Sequence, residues 1–202
     1  MGYSTVVQTQ TIIFMGLQGS GKGTQVKLLK EYISAQDPGV PLVHFDAGGH
    51  LRAFFAEGGY TQEMVKASMD LGEIQPSFLP SYLWSRLFIS ELHGAEHLLM
   101  DGSPRALVEA ELLDGALKFY KREQPTVLFL NVSEEEGMKR LVKRGRHDDT
   151  EEGIKERFRW YREIVMSSLN YYRDKEGYRV LEINGEQTPA EVHADVIKAL
   201  GL

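Results

Sequence analysis

A chain of 202 residues, 42% hydrophobic and 26% charged, has the size and composition of one soluble globular domain with a substantial core. Its net charge of −6 argues against nucleic-acid binding by bulk charge, and the absence of cysteine excludes disulfides, thiol catalysis and cysteine-based zinc sites. No run approaches the ~18 apolar residues of a membrane span; "MGYSTVVQTQ" lacks the features of a signal peptide and carries Val6 where a myristoylation motif needs Ser or Thr, so the chain reads as cytosolic.

In chain order, the first apolar run is Thr11–Gly16, "TIIFMG". It leads into "LQGSGKGTQ" and a helical stretch, "GKGTQVKLLKEYISA", with Val26, Leu29 and Ile33 on one face. The second run is Pro41–Asp46. From Asp46 to Leu98 there is no convincing strand, and the pattern predicts short helices broken at Gly58-Gly59, Gly72 and Pro76, a candidate substrate subdomain. His97–Gly102 and Thr126–Val132 are the third and fourth runs, the latter followed by a helix, "EEEGMKRLVKRG", with Ser133 as N-cap. Ile154, Phe158, Tyr161, Val165, Leu169 and Tyr172 then predict one long helix from about Thr150 to Lys175. Tyr178–Asn184 and a helix over Pro189–Leu200 close the chain. Near-continuous hydrophobicity in the five runs implies burial on both faces, and alternation with helices implies an α/β fold with a parallel sheet.

The glycine turn after the first strand carries chemistry. The phosphate-loop pattern G-x-x-x-x-G-K-[ST] fits Gly16, Gly21 and Lys22, then meets Gly23 where a hydroxyl normally holds Mg²⁺; Thr24 comes one residue late. Strand, glycines and helix N-terminus together would turn backbone N–H groups toward phosphates, with Lys22 as a point charge. Arg52 follows the second strand, Asp101 and Arg105 the third, Arg144 and Arg146 the helix after the fourth, and Arg157 lies on the long helix. Ligands of open α/β sheets bind beyond the carboxyl ends of the strands, so the groups after the first three strands converge by topology. Five arginines and a lysine suit a substrate with several phosphates, because phosphoryl transfer is mostly positioning and electrostatic stabilisation. Taken singly, each arginine is a solvated charge, Asp101 a turn former, and "KRLVKRGRHDD" a helix end with Asp148 and Asp149 paired to Arg146; the combination beside a phosphate loop points to a site. His44 and His97, in apolar strands, read as structural.

The set "GLQGSGKGTQ", "DGSPR", "RGRHDDTEEGIKERF" and "LNYYRDKEGYRVLEINGE" resembles the adenylate kinase family of nucleoside monophosphate kinases, over about Thr11 to Leu200, in a form without the long lid. The resemblance implies a P-loop kinase fold: three α/β/α layers around a five-stranded parallel sheet. It implies a core of residues 1–45, 77–142 and 151–202, a helical monophosphate-binding insertion at 46–76 and a short lid at 143–150. It further implies reversible phosphoryl transfer from ATP, with Mg²⁺, to a nucleoside monophosphate, AMP first, in a monomer. Gly19, Ser20, Gly21, Lys22, Gly23, Thr24 and Arg144 would bind ATP. Ala47, Arg52, Ile74, Gly102, Arg105, Glu109, Arg146 and Arg157 would bind the monophosphate. Lys22, Arg105, Arg144, Arg146 and Arg157 would be catalytic, and Asp101 would hold Mg²⁺ through water.

Departures cluster at the acceptor. Where the family has "STGDLLR", Ala47 replaces the threonine and Gly49 the acid, and Glu109 stands in place of the glutamine that reads adenine. A carboxylate only accepts, so Glu109 would serve one adenine or cytosine amine, or match guanine's two donors better, or point to solvent and leave the base to backbone groups. Kinases preferring CMP, UMP or GMP, and an inactive nucleotide-binding sensor, therefore remain alternatives.

Overall fold

The computed structural model describes residues 9–146 and 149–202. The N-terminal residues of the signal and myristoylation readings up to Gln8, and His147 and Asp148 of the expected lid, lie outside the described residues.

Five parallel strands form one sheet in the order β2-β3-β1-β4-β5: β1 (Thr11–Gly16), β2 (Leu42–Asp46), β3 (His97–Asp101), β4 (Thr126–Asn131) and β5 (Arg179–Asn184). Each falls within one residue of a predicted run at either end. Alternate residues separate to the two faces, as pleating demands. Ile12, Phe14, Leu99, Leu128 and Leu130 face α1 (Lys22–Gln36) and α9 (Pro189–Leu200) through Val26, Leu29, Ile33, Val192 and Val196. Ile13, Met15, Phe45, Met100, Val127 and Phe129 face the other layer. That layer holds α4 (Phe78–Glu91), α5 (Leu107–Phe119) and α8 (Met166–Asp174), joined to the same core by Leu51 of α2 (Ala47–Ala56) and Val65 of α3 (Tyr60–Asp70). These are the three layers that a sheet apolar on both faces requires. Among the described residues, no helix is long and apolar enough to cross a membrane.

Left-handed glycines stop the helices of the 46–76 region at the predicted places: Gly58 and Gly59 separate α2 from α3, and Gly72 follows α3. α5 fills an interval that the pattern leaves unassigned. The helix α6 (Glu134–Arg144) starts on Ser133, whose hydroxyl accepts the Glu136 N–H.

The single helix expected over 150–175 is corrected to three pieces: α7 (Glu151–Trp160), a π-helical turn at Tyr161–Val165, and α8. Consecutive residues on a regular helix point about 100° apart, and the wider turn lets both Trp160 and Tyr161 border the cleft. One extra residue per turn leaves the apolar spacing of 3 and 4 nearly unchanged, so the pattern does not betray it.

Candidate active site

The crevice opens at the carboxyl ends of the strands, beside β1, where successive crossovers run to opposite sides of the sheet. It is a cleft of about 780 Å³. Gly19, Gly21, Lys22, Gly23, Thr24, Arg52, Asp101, Gly102, Arg105, Arg144 and Arg146 all line it. Arg157 lines a smaller adjoining cavity together with Arg52, Arg105, Arg144 and Arg146. The expected convergence of lysine, aspartate and arginines is what the fold produces.

Four other candidates sit behind the wall. Ser20 is buried beneath the loop, its Oγ 3.4 Å from Lys22 Nζ. Ala47 is buried where a Cβ on Gly102 would come within 3.4 Å of it, so it packs under the 102–105 turn. Ile74 packs against the large core. Glu109 is fully buried, which sets aside the alternative in which it points to solvent. Its Oε2 accepts the Arg105 backbone N–H at 2.8 Å, with Ser103 Oγ at 3.5 Å. Burial raises its pKa, against the opposing backbone bond and charge of Arg105. Glu109 therefore fixes the Gly102–Arg105 turn from inside, and does not border the cleft.

The phosphate loop is built by backbone constraint. Gly16 has φ 145°, and a Cβ there would meet the Leu130 carbonyl at 2.5 Å; Gly19 has φ 85° and would meet the Gly137 carbonyl at 2.6 Å. Gly23 is different, because a Cβ there would lie at an ordinary 3.9 Å from Asp101 Oδ2. The missing hydroxyl at that position is not forced by the backbone. Lys22 curls over the loop, donating to the carbonyls of Gly16 (2.7 Å) and Leu17 (2.9 Å). Burial lowers its pKa to about 8, against the attraction of Asp101.

Asp101 ends β3 directly opposite Asp46 at the end of β2. Burial, reinforced by the Asp46 charge and opposed by Lys22, raises the Asp101 pKa to about 6. A carboxylate next to a phosphate loop is a hard oxygen donor of the kind Mg²⁺ takes when phosphates complete its shell, and no group of three or more His, Cys, Asp or Glu among the described residues offers an all-protein metal cage. The residues present fit Mg²⁺ brought with a nucleotide.

Asp46 went unnoticed as a site residue, although a carboxylate ending β2 is the same signal as Asp101 ending β3. Its Oδ2 is 3.9 Å from Arg52 Nη2. A Cβ on Gly49 would come within 2.4 Å of that same oxygen, so the acid at 46 occupies the room that a side chain at 49 would need.

The bland reading of residues 139–149, a charged helix end, pairs Asp149 with Arg146. The Asp149 side chain is fully buried and pairs with Arg144 in two bonds of 2.9 and 2.7 Å, and with Arg157 Nη1 at 2.9 Å. Arg146 contributes its backbone N–H at 3.3 Å. Burial alone would raise the Asp149 pKa, but the bonds from Arg144, the Arg146 backbone and Arg157 hold it below the carboxylate range. Asp148 lies outside the described residues. Trp160, also unforeseen, borders both cavities; the apolar stripe assigned the inward position to Tyr161, and the π turn admits its neighbour.

Comparison with known proteins follows the same outline. The family model described as adenylate kinase matches residues 14–177. An adenylate kinase of Thermus thermophilus is 36% identical over 198 residues, covering 96% of this chain and 98% of that protein. One from Rhodococcus erythropolis is 32% identical over 190 residues, with 94% and 98% covered. "Adenylate kinase 1" of a Nostoc species is 30% identical with the same coverage.

Proposed function

The chain belongs to the adenylate kinase family, a phosphotransferase acting as a nucleoside monophosphate kinase, and from that premise we propose that its acceptor is AMP, giving two ADP from ATP and AMP. One observation supports phosphoryl transfer in this reading, that Lys22, Asp101, Arg52, Arg105, Arg144 and Arg146 border a single cleft at the carboxyl edge of the sheet; AMP as the acceptor follows the names of the relatives.

In this reading the loop N–H groups from Gly19 to Thr24 and Lys22 bind the ATP phosphates. Lys22 exchanges the Gly16 and Leu17 carbonyls for phosphate oxygens, and the negative charge restores its full protonation. Arg52 and Arg105 hold the monophosphate. Arg144, Arg146 and Arg157 face the charge that develops on the transferring group, where fixed donors act most strongly. Asp101 would hold Mg²⁺ through water, and bound Mg²⁺ neutralises phosphate charge and orients the transferring group. The 46–76 insertion and the 143–150 segment close over the nucleotides, so water is kept from the phosphoryl group.

A coupled assay of ATP with AMP, CMP, UMP and GMP tests the acceptor. The expected result is turnover of AMP above the others, lost in a folded Lys22→Ala variant. Turnover of another monophosphate in place of AMP would rename the acceptor. ATP binding without turnover of any would make the chain a nucleotide sensor, the outcome that Ala47 and Gly49 would then explain.

A further inference from the structure

Trp160 is 2% exposed, at the point where α7 gives way to the π turn. Its ring lies against the Arg105 guanidinium, 5.1 Å from carbon to ring centroid. Its Nε1–H donates to the Gly72 carbonyl at 2.9 Å, across 88 residues of sequence. Gly72 has φ 75°, and a Cβ there would strike the Gly153 carbonyl at 2.6 Å, so the turn leaving α3 presses backbone to backbone on α7. The Arg105 backbone is fixed elsewhere, by Glu109 and by Ser168, whose hydroxyl donates to the Arg105 carbonyl at 2.7 Å. Its guanidinium is held by a 3.1 Å bond to the Gly102 carbonyl and by the indole face.

We propose that Trp160 is a positioning residue for the acceptor phosphate: its ring aims Arg105 while its Nε1–H pins the end of the 46–76 insertion to α7. One side chain thereby sets the arginine that meets the monophosphate and the hinge of the element that covers it. A cation over an aromatic face in a desolvated site is attracted strongly enough to fix its direction. The inference rests on Arg105 being an acceptor-phosphate ligand.

Two variants separate the contacts. Trp160→Phe keeps a ring for Arg105 and removes the donor to Gly72; Trp160→Leu removes both. Loss of the ring contact is expected to raise KM for the acceptor about tenfold in Trp160→Leu, and loss of the donor alone about threefold in Trp160→Phe, with KM for ATP within about twofold in both. An independent readout covers a poorly folding variant. The chain has two tryptophans, so Trp84→Phe leaves Trp160 as the one indole, and its emission is expected to change saturably as the acceptor monophosphate is titrated. Unchanged KM values, equal rises for both substrates, or an unresponsive emission would overturn the role of Trp160. A wild-type chain inactive on all four monophosphates would instead sink the kinase reading itself, which the wild-type assay reveals before any variant is made.

Discussion

Glu109 shows how a residue can be chemically well chosen and still misplaced. Read as a replacement for a glutamine, it invites an account in terms of base edges. In the fold it is fully buried and holds the Arg105 N–H from behind the cleft wall. A glutamine there can accept the same N–H through its amide oxygen. Glu109→Gln is therefore expected to leave the order of preference among the four monophosphates unchanged, as measured by kcat/KM. Glu109→Ala leaves the Arg105 N–H unpaired and should cost about 1–3 kcal/mol in denaturant unfolding. A glutamine variant that shifts the base preference would return the residue to base reading. The legible residues were those whose meaning is local: Lys22 after a glycine turn, Asp101 at a strand end. Asp46 was equally legible by that rule. Trp160 and Glu109 depend on which way a helix faces, and single-residue chemistry does not contain that information.

At the scale of elements, the inner strands β1, β3 and β4 were legible because burial on both faces leaves near-continuous apolar runs, the edge strands β2 and β5 being only partly buried against that expectation, and the helix stops because left-handed turns select glycine. The π turn was not, since 3 and 4 spacing survives it. The segment between α6 and α7 is the element where charge arrangement matters most. Asp149 holds Arg144 and Arg157, two arginines from different helices, on one carboxylate. In the proposed function, phosphate takes over that counter-charge when a nucleotide binds. Asp149→Asn keeps the shape and removes the charge, so the arginines have less to give up for ATP but lose their common orientation. The expectation is a KM for ATP that is unchanged or lower, with kcat reduced about 10–100-fold, because preorganised donors lose most when their direction is lost. An unchanged kcat would show that the two arginines are aligned by the nucleotide alone.

Over the whole molecule, the sheet concentrates its ionisable groups at the carboxyl edge and holds one half-buried histidine, His44, and one buried histidine, His97, in its strands, which ties stability to pH. His44 of β2 has an Nε2 without a hydrogen-bond partner among the described residues. Burial, helped by Lys30 and opposed by Asp46, lowers its pKa from 6.5 to about 4. His97 of β3 is lowered too, by burial against the opposing Asp37, while its Nδ1 accepts the Gln10 N–H at 3.0 Å. The folded state thus favours neutral imidazole, and the unfolded chain binds protons first as pH falls below 6.5. The contribution of His44 is complete above that value and is lost as pH falls toward about 4. Carboxylates titrate over part of the same range, so the test is a difference. Urea midpoints at pH 7.5 and pH 5 should fall further for the wild type than for His44→Leu, which has no proton to take up. Equal falls would mean that His44 is as solvated in the fold as in the unfolded chain. The cavity beside it is also lined by Lys27, Lys30, Asp46 and Asp101, so the same strand that shields His44 delivers a carboxylate to the cleft. Stability and the site therefore share β2, and a substitution at His44 that shifts this strand should show itself in the acceptor KM as well as in the urea midpoint.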